Sequence, residues 1–184
     1  DVYKRQLLQI DSTVGDLAGN AERLESLTAI AQANGAQVAI ATELAVCGYP
    51  PRDLLLQPDF ITTSFETAKN LTVDIPVLVG TPIPPDHERN LPANGVVRAG
   101  VLQAVPNKDN TNRVVAKKQL LPSYDVFDET RYFTPANRSG ICRSIGEIDL
   151  GITICEDAWQ AAGLTPSAYG QDPVASLAEW GRQG

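Results

Sequence analysis

Three side chains, widely separated along the chain, are of the types needed to break a carbon–nitrogen bond. Glu43, Lys118 and Cys155 each follow a run that reads as a β-strand: VAIAT, RVVAK and LGITI. In layered α/β folds ligands gather outside the carboxyl ends of strands, so the three can converge. A cysteine is intrinsically nucleophilic but mostly protonated at neutral pH. A carboxylate beside it can take its proton as general base. An ammonium can favour the thiolate and steady the oxyanion formed when a carbonyl is attacked. The carboxylate can then pass the proton to a leaving amine and activate water against the thioester. Plainer readings stand beside this one. A cysteine after an apolar strand is more often a packed small hydrophobe. Glu43 can be a solvated strand-end acid, and Lys118 half of a surface pair with Lys117. Spacing alone does not decide between them.

The composition limits the rivals. A chain of 184 residues is the size of one domain, and its net charge of -7 argues against a general nucleic-acid or anionic-membrane role. No apolar run approaches the ~18–20 residues of a membrane span. The three cysteines, Cys47, Cys142 and Cys155, are widely spaced, and no secretory signal is visible. A reducing, cytoplasmic setting is therefore expected rather than a disulfide framework, with Cys47 and Cys142 structural. The single histidine, His87, has no ligand-like spacing to any cysteine, so no metal site is expected. The chain contains no methionine and opens on the polar run DVYKRQ. Residues 1–6 read as a non-native or disordered start, and 7–184 as one domain, incomplete at its C-terminal end.

Periodicity predicts the elements that must position the trio. Residues 7–10 read as a buried strand. A helix is expected over 20–33, with Asn20 as N-cap and Asn34-Gly35 as its stop. Residues 38–42 form a strand, CGYPPRD a rigid loop, and 54–71 a helix interrupted near Pro58. A short strand over 77–79 closes at Gly80. Strands are then expected over 94–98, 101–105 and 113–117, with turns at AG and PNKDN. Residues 118–140 form a long connection, the kind that is usually functional. Strands over 141–145 and 148–154 precede a last helix over 173–180. This order argues for a layered α/β domain rather than a simple doubly wound sheet.

Three segments carry a resemblance. ELAVCGYPPRDLL (43–55), KQLLPSYDVFDETRYF (118–133) and ICEDAW (154–159) resemble, in order, the three motifs of the nitrilase superfamily of carbon–nitrogen hydrolases. GYPPRDL and VFDETRYF point within it to the glutaminase domain of glutamine-dependent NAD synthetases. The resemblance covers residues 7–180. It implies a nitrilase-like four-layer αββα sandwich, truncated at the C-terminus. It puts the general base at Glu43, the lysine at Lys118 rather than Lys117, and the nucleophile at Cys155. Tyr124, Glu156 and Trp159 fall at glutamine-contacting positions, and Glu129 at a supporting acid. Each has an alternative: packing on its loop for Tyr124, capping of a turn for Glu156 and Asp157, the core for Trp159, and pairing with Arg131 or Lys118 for Glu129.

The implied activity is hydrolysis of the glutamine amide. The ammonia would serve ATP-dependent conversion of deamido-NAD to NAD at a C-terminal synthetase domain absent from this chain. The partners expected are glutamine, that synthetase domain and further copies of the chain. No cofactor is expected in this domain, and ATP and magnesium belong to the missing one. Two other readings are a stand-alone amidase or nitrilase acting on another small amide, and an inactive fragment with an assembly role.

Overall fold

The computed structural model describes residues 4–85, 97–106, 112–138, 140–145, 148–160, 163–165 and 169–182. Its larger sheet runs in the order β1 (Arg5–Leu8), β2 (Val38–Ala41), β3 (Val77–Ile83), β4 (Arg98–Ala104), β5 (Arg113–Lys117). The first three strands are parallel, and β4 and β5 continue antiparallel. β6 (Gly140–Ile145) and β7 (Ile148–Ile152) form a separate antiparallel pair. The helices are α1 (Leu17–Ala33), α2 (Pro58–Lys69) and α3 (Pro173–Gly181).

Successive side chains on a strand point to opposite faces, which sorts the core into layers. Ala39, Val77, Val79, Leu102 and Ala104 join Leu24 and Ala31 of α1 and Phe65 and Ala68 of α2 in one cluster. The alternate residues Val38, Ile40, Leu78, Val101 and Val115 pack instead with Leu150 and Ile152 of β7. Gly151 between those two faces the other way, where a Cβ would lie 3.3 Å from Leu177 of α3. The layers are therefore α1 with α2, the five-stranded sheet, the β6–β7 pair, and α3. This is the αββα order expected from the sequence.

Several expected boundaries move. β1 starts at Arg5, so it includes two residues that had been set aside as part of the start. α1 is capped by Asp16, whose carboxylate accepts from Gly19 N at 3.0 Å. Asn20, expected as the cap, lies one turn inside and is fully buried. Its side chain accepts from Thr13 N and donates to Thr13 O and Val46 O, at 2.9, 2.8 and 3.0 Å. It therefore ties the loop before α1 to the loop after β2. A short 3-10 turn (Arg52–Leu56) precedes α2, which opens on Pro58, where a missing N–H costs nothing. Ala99-Gly100 is no turn: β4 passes straight through it, and residues 94–96 lie outside the described ones. β7 ends at Ile152, three residues before Cys155. Cys142 is placed in β6, and His87 lies outside the described residues.

β3 also runs through Gly80 instead of closing there. A Cβ at Gly80 would sit 2.4 Å from Leu44 N and 2.6 Å from Thr42 O. The bare glycine therefore lets the chain turn at Glu43 directly over the sheet. Gly80→Ala is expected to cost about 1–3 kcal/mol, by analogy with overpacked cores. Urea denaturation followed by circular dichroism would read it as a lower midpoint at unchanged slope.

Candidate active site

Glu43 follows β2 and opens a tight turn in which Leu44 adopts a φ of 50°. Lys118 follows β5, its N–H bonded to Ala99 O and its carbonyl accepting from Ala136 N, both at 2.9 Å. Cys155 is the first residue of a 3-10 turn (Cys155–Ala158) and has a φ of 48°. Non-glycine residues in that region cost of order 1–3 kcal/mol and collect at functional sites.

Asp157 brings two of these segments together. It is 2% exposed. Its Oδ1 accepts from Gln119 N at 3.0 Å and Leu120 N at 2.8 Å, and its Oδ2 from Ile154 N at 3.2 Å. One buried carboxylate thus holds the residues just after Lys118 to the residue just before Cys155. The turn-capping role open to this acid in the sequence is the one it takes.

At the centre the Lys118 side chain is fully buried. Its Nζ donates to Glu43 Oε1 at 2.8 Å and to Glu129 Oε2 at 2.6 Å. Of the two partners open to Glu129 in the sequence, the structure selects Lys118, while Arg131 lies 3.9 Å from Asp53. Burial pushes the Lys118 ammonium toward its neutral form, but the two carboxylates overcome this and hold its pKa above the usual lysine value. Burial, then the charge of Glu43, raises that of Glu129. The Cys155 thiol is pushed up to about 11, by burial first and then by Glu43, with Lys118 opposing. The ammonium favours the thiolate, as the sequence suggested, but burial and the two acids outweigh it, so Cys155 rests as a thiol.

Glu43 and Cys155 line a cleft of about 420 Å³ with Ile10, Asp11, Ser12, Thr42, Tyr49 and Phe127. Tyr124 packs edge-on against Phe127, with ring centroids 5.7 Å apart. Its hydroxyl donates to Glu156 Oε2 at 2.8 Å, and the Tyr169 hydroxyl donates to Glu156 Oε1 at 3.2 Å. Glu156 is 1% exposed, whereas Trp159, at the far end of the turn, is 39% exposed. Cys47 is fully buried among apolar residues, with its thiol pushed up to about 12 by burial. Among the described residues no cluster of His, Cys, Asp and Glu is placed to hold a metal, and no helix is long and apolar enough to cross a membrane.

Sequence reasoning passed over Tyr49, Phe127 and Tyr169. Tyr49 stands six residues after Glu43 between a glycine and two prolines, a setting that fixes an aromatic close to that carboxylate. Tyr169 sits in a small-residue loop with no periodic signal, and only the coordinates bring it to Glu156.

Comparison with known proteins gives the class first. No family model matches the chain. An amidase from Nesterenkonia sp., described as belonging to the nitrilase superfamily, superposes with a TM-score of 0.67 at 19% identity. The match covers 85% of this chain and 57% of that one. The chain has the nitrilase-superfamily fold. In sequence the chain is similar to glutamine-dependent NAD(+) synthetases. It is 36% identical to the Synechocystis enzyme over 180 residues, and 32% identical to that of Thermotoga maritima over 170 residues. A solved Acinetobacter baumannii synthetase superposes with a TM-score of 0.74 at 24% identity, covering 97% of this chain and 30% of that one. The chain spans about 31% and 26% of the length of the two curated relatives, respectively.

Three outcomes follow from this geometry. Asp157→Asn puts an amide where a carboxylate accepts three backbone N–H groups, and is expected to cost about 2–4 kcal/mol; urea denaturation checks it. The Cys155 thiolate absorbance, taken as wild type minus Cys155→Ala, is expected to appear with a midpoint near 11 rather than at neutral pH. Glu43→Gln removes a negative neighbour that disfavours the thiolate, so the midpoint moves down.

Proposed function

We propose that the chain hydrolyses the side-chain amide of glutamine, with Glu43, Lys118 and Cys155 as its catalytic residues. The observation that carries this reading is the buried Lys118 ammonium, shared between Glu43 and Glu129, next to a cleft that Glu43 and Cys155 both line. The homology to NAD(+) synthetases over 95% of the chain supplies the substrate class.

In this reading Glu43 takes the Cys155 proton as the sulfur attacks the amide carbon. The C–S bond forms and the carbonyl electron pair moves onto oxygen. An ammonium has three N–H donors. Glu43 and Glu129 take two of the three on Lys118, which leaves one for the oxyanion. Collapse of the adduct breaks the C–N bond, and Glu43 returns its proton to the departing nitrogen, releasing ammonia. Water, deprotonated by Glu43, then attacks the thioester and frees glutamate and the thiol. Tyr124 would shape the glutamine site. The Glu156 carboxylate, held by two phenols, would act on the ligand through Tyr124. Trp159 would meet the ligand from the surface end of the turn.

In an intact enzyme the ammonia would convert deamido-NAD to NAD at a synthetase domain that uses ATP and magnesium. This domain would need no cofactor of its own. The working assembly would be a homo-oligomer in the cytoplasm.

The test is covalent labelling with a glutamine-like chloroketone, mapped by peptide mass spectrometry. Cys155 is expected to be labelled roughly a hundredfold or more faster than Cys47, with Glu43→Gln slowing it by about 10²–10⁴ as for a lost general base. Free glutamine should protect. Labelling without preference for Cys155, or without protection by glutamine, in a chain shown to be folded would sink the reading.

A further inference from the structure

Beyond the three catalytic residues stands a fourth side chain whose placement the proposed chemistry does not itself require. The Tyr49 hydroxyl donates to Glu129 Oε1 at 2.8 Å, while the other oxygen of the same carboxylate accepts from Lys118. We propose that Tyr49 is a positioning residue that acts through Glu129: its hydroxyl aims that carboxylate at Lys118 and so leaves Glu43 available to the Cys155 thiol.

The argument starts from the donors on Lys118. An ammonium on four methylenes is flexible, and its direction at the site is set by what it bonds. With Glu129 in place, Nζ is shared between two carboxylates. Were Glu129 to rotate away or take a proton, Nζ would fall to Glu43 alone. The general base would then be locked in an ion pair, and the free donor for the oxyanion would swing with it.

The backbone of Glu129 is already fixed. Its N–H donates to Pro122 O at 3.0 Å, and its carbonyl accepts from Tyr132 N and Phe133 N. Only the carboxylate remains to be oriented, and Tyr49 and Lys118 hold one oxygen each. The loop that carries Tyr49 is itself tied to the Glu129–Arg131 turn, because the Tyr132 hydroxyl donates to Asp53 at 2.7 Å. Gly48, with a φ of 78°, turns the chain just before Tyr49.

Packing alone would ask less of this residue. The Tyr49 ring leans on Phe127 with centroids 6.5 Å apart, and a phenylalanine would do the same. The hydroxyl is what reaches the buried charge. Burial and Glu129 raise its pKa far above that of a free phenol, so it stays a donor throughout the working range. The groups that face Glu129 are Lys118 and Glu43 from the strand ends, Cys155 from its turn, and Tyr49. Arg52, Asp128 and Tyr132 line a small cavity on its other side. Lys118 first, and after it the Tyr49 hydrogen bond, favour the ionised carboxylate against burial and the charge of Glu43. Loss of the hydroxyl therefore raises the pH at which Glu129 takes a proton.

The inference rests on the proposed reading for the roles of Glu43, Lys118 and Cys155, and the experiment separates it from the identity of the substrate. Tyr49→Phe is compared with the wild-type chain in two measurements. In the first, Glu129 is titrated by carbon-13 NMR of glutamate-labelled chain, assigned with Glu129→Gln, and its midpoint is expected to move up. In the second, Cys155 is inactivated by a glutamine-like chloroketone and by plain chloroacetamide. The maximal rate with either is expected to fall by about tenfold or more, with half-saturation by the chloroketone changed less than about twofold. Tyr49→Phe combined with Glu129→Gln should be no slower than Glu129→Gln alone, since the hydroxyl acts through that carboxylate. An unmoved Glu129 midpoint, a wild-type rate in folded Tyr49→Phe, or additive losses in the double variant would each overturn the proposal. If the wild type prefers chloroacetamide to the chloroketone, the glutamine reading fails instead, and the Tyr49 effect is still read on chloroacetamide.

Discussion

Everything at this site is arranged around one buried ammonium. A lysine stripped of water forfeits several kcal/mol of solvation, and it stays charged only where carboxylates stand close enough to replace what it lost. Lys118 has two, at 2.8 and 2.6 Å. The same pairing constrains its partners. Glu43 and Glu129 lie 86 residues apart in the chain, on a strand-end turn and a 3-10 turn, and both are held where the ammonium can reach them. Breaking such a pair by removing one member usually costs about 3–5 kcal/mol, because the other is left buried and unmatched. Site and fold are therefore not separable here: the loops after β2 and β5 meet because the charges they carry require it.

Much of this was legible in the sequence, and the division has a physical basis. Strand ends were readable because β-branched and apolar runs stop at Glu43 and Lys118. The layered α/β class followed from the succession of elements, and the four-layer αββα order was implied by the resemblance of the motifs. What escaped was set by tertiary contacts. Asp16 and Asn20 are both good capping types four residues apart, and local preference does not rank them. Burial between two loops draws Asn20 into the core and leaves the cap to Asp16. Gly80 and Gly100 looked like strand punctuation, yet both lie inside strands. At Gly100 a Cβ would come within 2.7 Å of Ile83 and 2.8 Å of Ala116 O, so the residue marks close approach rather than a turn.

The site residues divide the same way. Glu43, Lys118 and Cys155 were singled out by type and position, and the motifs around them brought in Tyr124, Glu129 and Glu156. The hydrogen bonds that hold this set together were not visible. Tyr49 to Glu129 spans 80 residues and Asp157 to Gln119 spans 38. No local pattern encodes partners at such distances. A thiol beside a base was readable at Cys155, but how far its pKa is raised was not. Lys118 alone would favour a thiolate, but its effect depends on a second carboxylate whose partner the sequence left open.

That charge state bears on how the chemistry can be timed. A thiol held to about 11 by burial and by neighbouring acids is a poor nucleophile at rest. It becomes a good one only while a base removes its proton and a forming negative charge on the substrate is met by a donor. In the proposed reaction Glu43 supplies the first and Lys118 the second, so neither step is complete without an amide carbonyl in the cleft. A preformed thiolate would instead be exposed to oxidants and stray electrophiles whenever the cleft was empty. Burial and the surplus acid that raise the thiol would thus make the proposed nucleophile conditional on a bound amide. That acid is the same pair of carboxylates that keeps the buried lysine charged.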